Sequence, residues 1–437
     1  MAQFKTRARA LDLLGRQQIA GIPTAINELI KNAYDAYADH FEADFLRRQG
    51  VLVLRDDGMG MTRSEFENRW LTLGTESKLV KSSLPPRDPN KPLRPITGEK
   101  GIGRLAIASI GRQLLILTKS KQSTSCPIVV SYINWELFEL PELNIEDIVI
   151  PVCEFSNIPT DKDVANLKKE VVTSLQALQQ AGRIDKAISA SIIAEIESFS
   201  VNPSLLNETL SRIGQPLMYG GTQFYVGDLE DSLIADIDGE PGDRSATKME
   251  KMLLGFQNTM TPDHPEALID VTFRDYRTDD GTYVNIIDDK EFFTPEEFEK
   301  ADHHIIGEFD RYGQFEGTVR IYGDKTYNHR VNWRDNHYRE TVCGAFSIQL
   351  AYVQGEQKST RIGIEDYAVI KAKTDRIGGL YIYRNNIRVL PYGDTDYDFL
   401  DMEKNRSKRY SSGFFSFRRI FGAVVEIPAQ TDPSVLL

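Results

Sequence analysis

The stretch Glu28-Leu29-Ile30-Lys31-Asn32-Ala33-Tyr34-Asp35-Ala36 spaces Glu28, Asn32 and Asp35 at i, i+4 and i+7. On an α-helix these three side chains share one face, while Ile26, Leu29, Ile30 and Ala33 fill much of the remaining surface. Pro23 suits a first helical turn, where its missing N–H costs nothing. A carboxylate, an amide and a second carboxylate in one row are unusual on a buried helix. Taken alone, the row also fits a solvated polar face, the ordinary condition of an amphipathic helix.

Two further stretches change that balance. Asp56-Asp57-Gly58-Met59-Gly60-Met61 follows the apolar run Val51–Leu54, which reads as a buried strand. Gly98-Glu99-Lys100-Gly101-Ile102-Gly103-Arg104 precedes an apolar run from Leu105 to Ile110 that reads as helical. A glycine loop opening a helix is an anion site, because free N–H groups and the helix dipole point at the ligand. By itself such a loop fits a simple turn equally well. The three elements in this order, within the first quarter of the chain, say more than any one of them.

Together they resemble the ATP site of the GHKL superfamily, which includes gyrase-type topoisomerases, heat-shock chaperones, histidine kinases and MutL. The wording is nearest to the heat-shock-chaperone and MORC branches. A fourth element of that site, a Gly-Thr leading a strand, is matched by Gly221-Thr222-Gln223-Phe224-Tyr225-Val226. The resemblance implies an α+β chain: a two-layer α/β sandwich ATP-binding domain over residues 1–235, then a transducer-like α+β domain over 236–437. Leu73 to Thr97, rich in proline, serine and lysine, reads as a lid. Residues 160–212 read as a helical insertion, two helices breaking near Gly182.

The resemblance also assigns roles. Glu28 orients or deprotonates the attacking water, and Asn32 ligates Mg²⁺ through its amide oxygen. Asp56, rather than Asp57, accepts from the exocyclic amine of adenine, with Thr222 supporting it through water. Asp35 ties the helix to the pocket, and a purely structural role is equally open. Gly58 and Gly60 let the backbone approach the ring, against which Met59 or Met61 packs unless it is ordinary core filler. Gly98, Gly101, Ile102 and Gly103 cradle phosphates, with Lys100 adding charge. Thr75, Ser77 and Lys78 stand at the start of the lid, within expected reach of phosphate. One basic residue of the second domain would reach the γ-phosphate, drawn from Lys404 to Arg409 or from Arg384 and Arg388. A solvated basic loop, or contact with nucleic-acid phosphate, fits the same residues.

Composition sets outer bounds. The 437 residues suffice for two or three domains, and 41% apolar with 27% charged residues is ordinary for a globular protein. A net charge of −12 argues against a surface that coats nucleic acid, though not against a local basic patch. Cys126, Cys153 and Cys343 are far apart and odd in number, which fits a reducing compartment. No apolar run approaches the ~18 residues of a membrane span, and Met1 to Lys5 has no signal-peptide core. A cytoplasmic protein is therefore expected. The apolar end Ser434–Leu437 fits a natural terminus or a truncation.

Further strands are expected at Phe41–Leu46, Val51–Arg55, Gln113–Thr118, Pro127–Trp135, Asp147–Phe155, Val271–Phe273, Tyr283–Ile287, Thr318–Tyr322, Phe346–Tyr352 and Gly379–Leu390. Helices are expected over Arg7–Ile19, after Thr62 and Thr294, and over Lys248–Phe256. The resulting expectation is an ATPase that uses ATP and Mg²⁺ to close a lid, join two protomers and remodel a protein client or DNA, in a bacterial defence or DNA-associated system. A histidine-kinase-type phosphotransferase and a nucleotide sensor with negligible turnover are the alternatives.

Overall fold

The structure is a computed structural model that describes residues 6–15, 19–72, 93–97, 103–210, 217–240, 245–264, 266–287, 291–333, 339–408 and 415–426. It is an α+β chain divided into two compact units. The first comprises Met1–Asp238 and Leu268–Ile287, the second Gly239–Ala267 and Asp288–Leu437.

The first unit holds α1 (Arg9–Leu14), α2 (Ile22–Asp35), β1 (His40–Leu46), β2 (Val51–Asp56), α3 (Arg63–Glu65), β3 (Gly111–Lys119), β4 (Ile128–Asn134), β5 (Val152–Phe155), α4 (Asp161–Gln180), α5 (Lys186–Ser198), α6 (Pro203–Leu210), β6 (Gly221–Leu229), α7 (Ser232–Asp238), β7 (Asp270–Tyr276) and β8 (Val284–Ile287). The strands form one sheet in the order β5-β4-β3-β6-β2-β1-β7-β8. Only the β1–β7 pair is parallel.

Strand alternation divides this sheet into two faces. Phe41, Ala43, Phe45, Leu52, Leu54 and Phe224 share one face and are buried. The opposite face carries charge: Glu42 and Asp44 of β1 stand in register with Arg55 of β2 and Arg274 of β7, respectively. Arg55 Nη2 reaches Asp44 Oδ2 at 2.7 Å, and Arg274 Nε reaches Asp44 Oδ1 at 2.6 Å. Glu42 receives one nitrogen of each arginine at 2.9 Å. All four residues are buried, so each charge depends on the others for the solvation it has lost. Helix α6 covers this face: Arg55 donates to Leu210 O, and Asn207 Nδ2 donates to Gln223 Oε1 and the Tyr225 hydroxyl.

The insertion begins with a capping box, Thr160 and Asp163 bonding reciprocally, and Asp185 caps α5. Gly182, at φ 70°, lets the chain reverse between α4 and α5. Thr62 and Glu65 form the capping box expected after β2.

Several expectations need correction. The first helix ends at Leu14 rather than Ile19, because Gly15 closes it with an N–H bond to Leu11 O. The run after the glycine loop is helical as expected, though it is a 3-10 helix over Gly103–Ser109. The strand expected from Asp147 starts only at Val152, after a 3-10 turn over Ile145–Asp147. Residues 268–287, read with the second domain, return to the first sheet because β7 pairs along the whole of β1.

The second unit contains α8 (Lys248–Leu253), α9 (Pro295–Lys300), β9 (His303–Phe309), β10 (Phe315–Ile321), β11 (Lys325–Val331), β12 (Phe346–Tyr352), α10 (Ile364–Ile377), β13 (Gly379–Arg384), β14 (Ile387–Arg388), α11 (Met402–Lys408) and β15 (Ile420–Glu426). Its sheet runs β11-β10-β9-β12-β15-β13-β14, with β13 and β15 parallel and the other pairs antiparallel. Leu350, Tyr352, Leu380, Phe417 and Ile420 form a core, with Phe399 and Met402 packed against it. The single strand expected over Gly379–Leu390 is a hairpin, since Asn385 and Asn386 both take positive φ (54° and 64°) as a two-residue turn requires. No described helix is long and apolar enough to cross a membrane.

Candidate functional site

Helix α2 starts after Gly21, with Pro23 in its first turn, and buries Ile22, Ala25, Ile26, Leu29, Ile30 and Ala33. Glu28, Asn32 and Asp35 remain half-buried along the polar row, and each has a different environment. Glu28 Oε1 receives Lys31 Nζ at 2.7 Å. Its other oxygen, Oε2, faces Gly103, where an added Cβ would stand 2.9 Å away. The last glycine of the loop therefore closes onto the helix at Glu28. The Asn32 amide makes no side-chain hydrogen bond among the described residues. Asp35 Oδ1 accepts from both the N–H and the hydroxyl of Thr97, each at 2.9 Å, and so ties the helix to the end of the 73–97 stretch. Arg94 reinforces that tie from a buried position, donating to Ala38 O at 2.7 Å and Leu268 O at 2.5 Å beneath the Tyr34 and Tyr37 rings.

Asp56 ends β2 on the apolar face of the sheet, in register with Thr222 of β6. It accepts N–H bonds from Gly58, at 2.9 Å, and from Thr222. Some solvent still reaches it, yet burial pushes its carboxyl up to about 7. The Gly58 bond opposes that rise and the Asp57 charge adds to it. Thr222 shares a 3.0 Å hydroxyl contact with Thr118, which also accepts the Met61 N–H. The backbone here has no room for side chains. Gly60, at φ 58°, lies where a Cβ would fall 1.8 Å from Lys119 O, and Gly221, at φ 127°, where one would fall 2.2 Å from Asp56 O. Met59 is pinned through its backbone, donating to Ala36 O and accepting from Lys121 N at 2.9 Å each.

Asp57 has a different task. Its Oδ1 accepts the Asp39 and His40 N–H groups at 2.8 and 2.9 Å, fastening the start of β1. Of the two adjacent carboxylates, Asp56 is the one directed along the apolar face. Lys31, Thr118 and Lys121 did not stand out as site residues before the fold was known. Lys31 alone carried a legible signal, the i+3 spacing from Glu28.

Thr75 and Lys78 of the lid, and Gly98, Lys100, Gly101 and Ile102 of the glycine loop, lie outside the described residues. Among the described residues no three His, Cys, Asp or Glu side chains converge as a metal cage. In the second unit, Arg388 is buried and committed to the carbonyls of Lys251, Leu254 and Tyr392, which removes it as a phosphate ligand. Arg384 pairs with Glu426 at 3.1 Å, and Lys404 and Arg406 pair with Asp401 and Glu403 at 3.3 and 3.5 Å.

The sequence matches the family described as histidine kinase-, DNA gyrase B- and HSP90-like ATPase over residues 21–148. The Caenorhabditis elegans protein ATPase morc-1 is 29% identical over 160 residues, which cover 34% of this chain and 16% of that protein. The chain thus spans about one sixth of that relative. The crystal structure of the N-terminal domain of a DNA repair protein superposes with a TM-score of 0.44 at 12% identity, over 96% of this chain and 86% of the other. The matched segment holds α2, the Asp56–Gly60 turn and the glycine loop in that order, and over that segment this chain is similar to GHKL-type and MORC-like ATPases.

Proposed function

We propose that this chain binds Mg·ATP in the first unit and hydrolyses it. The observation that carries the reading is the position of Glu28: on the same helical row as the open Asn32 amide, one carboxylate oxygen faces Gly103 at the end of the glycine loop. Adenine would lie on the apolar face with its exocyclic amine toward Asp56 and Thr222, which Gly58, Gly60 and Gly221 bring together by letting the surrounding protein backbones approach closely. The phosphates would run toward Gly98–Gly103, and Glu28 would hold the attacking water in line with the γ-phosphorus.

The residues present fit a magnesium ion. Asn32 offers one hard oxygen donor without a competing bond, and Mg²⁺ keeps several waters and takes most of its remaining ligands from phosphate. When bound, the ion would offset negative charge developing on the phosphates.

The second unit is read as a transducer. Nucleotide binding would close the 73–97 stretch, promote a homodimer and reposition the second unit against a protein client or DNA, and hydrolysis would reset the cycle. The decisive experiment is a titration of the full chain with Mg·ATP, followed by phosphate release from wild type and Glu28→Ala. The wild type should bind with heat and thermal stabilisation. The variant should still bind and turn over ~10²-fold or more slowly. Absence of binding in folded protein overturns the whole reading, and undiminished turnover removes Glu28 from it.

A further inference from the structure

We infer that Lys31 is a positioning residue for Glu28, a role that rests on the hydrolytic reading above and deepens it. Lys31 lies at the edge of the polar row, three residues after Glu28, and its Nζ sits 2.7 Å from Glu28 Oε1. The pair is sheltered: the side chains are 22% and 29% exposed. One carboxylate oxygen is thereby engaged by an ammonium group, while the other faces Gly103.

Three consequences follow from that arrangement. A glutamate has three rotatable side-chain bonds, and a base works only with one lone pair aimed at its water. The ammonium group selects one orientation and leaves Oε2 for the water. It also offsets the repulsion between the Glu28 carboxylate and a triphosphate brought to the glycine loop. Finally, Glu28 and Asn32, at i and i+4, are close enough to bond each other. With Oε1 engaged by Lys31, the Asn32 amide stays open, as observed among the described residues.

In the step this geometry serves, the water oxygen bonds to the γ-phosphorus. The bridging bond between the β-phosphate oxygen and the γ-phosphorus breaks, its electron pair remaining on ADP. The water proton passes to Glu28 Oε2 and then to solvent. Lys31 takes no proton and touches no reacting atom.

An ordinary exposed i,i+3 ion pair contributes little and its loss leaves turnover alone, so the two cases separate cleanly. The experiment measures phosphate release, affinity for a non-hydrolysable ATP analogue and Tm for the full chain. Variants are Lys31→Met, Lys31→Arg, Glu28→Gln and the double variant Glu28→Gln/Lys31→Met. Expected for Lys31→Met is a kcat lower by about tenfold or more, part of the 10²–10⁴ a whole base supplies, with analogue affinity and Tm close to wild type. Lys31→Arg should recover most of the loss, and Lys31→Met should add nothing to Glu28→Gln. An unchanged kcat, a loss matched in affinity or Tm, or failure of arginine to rescue overturns the inference while leaving the ATPase reading standing. A wild type that binds the analogue and releases no phosphate from ATP overturns both.

Discussion

A methyl group on Gly103 would stand 2.9 Å from Glu28 Oε2, closer than a Cβ and a carboxylate oxygen normally approach. The obstacle is the far end of a flexible side chain, so Gly103→Ala has a ready relief: Glu28 swings aside. The expected cost in stability is under about 1 kcal/mol, whereas turnover falls about tenfold or more because the base is displaced. Thermal melts beside phosphate-release rates check this. A large drop in Tm with a proportionate drop in rate would mean that Gly103 matters for folding alone.

Removing Arg274 leaves Asp44 and Glu42 with one arginine instead of two, on a sheet face that water does not reach. Arg274→Met is therefore expected to destabilise the first unit by roughly 3–5 kcal/mol, the usual penalty for uncompensated buried charge. Denaturant unfolding of the full chain, followed by a probe in the first unit, gives the number. A change under about 1 kcal/mol would show that the network carries little energy.

With a carboxyl pKa of about 7 in the folded protein against 3.8 as the ordinary value, Asp56 gives its full contribution to stability below about pH 4 and loses it as pH rises through about 7. Nucleotide binding should show the reverse trend. An exocyclic amine donating to Asp56 favours the ionised form, so binding near neutrality releases a proton. Affinity should then rise from pH 6 to pH 8 and level off above. Calorimetry with Mg·ATP in two buffers of different ionisation enthalpy detects the proton, and adenosine removes the phosphate's own titration. Asp56→Asn should abolish binding. A flat profile with no buffer-dependent heat takes Asp56 out of the base contact.

How far the sequence alone could be read depended on the range of the interactions. Glu28, Asn32 and Asp35 share a face because helical spacing is local, and the capping box at Thr62 and the helix start at Thr294 were legible for the same reason. The strand at 271–273 was visible as a strand, but its place beside β1 depended on charge complementarity between Asp44 and Arg274, 230 positions apart. Strands β9 and β11 escaped notice because their side chains do not alternate cleanly: β9 begins with two histidines, and β11 is exposed along its length. Arg384 and Arg388 suggested a basic loop reaching for phosphate, yet the positive φ of Asn385 and Asn386 between them makes a hairpin turn, and Arg388 is buried. Lys31 was in plain view but meant little until Gly103 fixed where the other carboxylate oxygen points.

The parallel pairing of β7 with β1 has a practical corollary for anyone dissecting this molecule. Because Leu268–Ile287 belongs to the first unit while Gly239–Ala267 belongs to the second, the polypeptide is stitched back and forth between the two. A single scission after Asp238 would strip β1 of a neighbouring strand and Asp44 of a counter-ion. The first unit can be inherited or transplanted intact only together with the loop of chain that it lends to its companion.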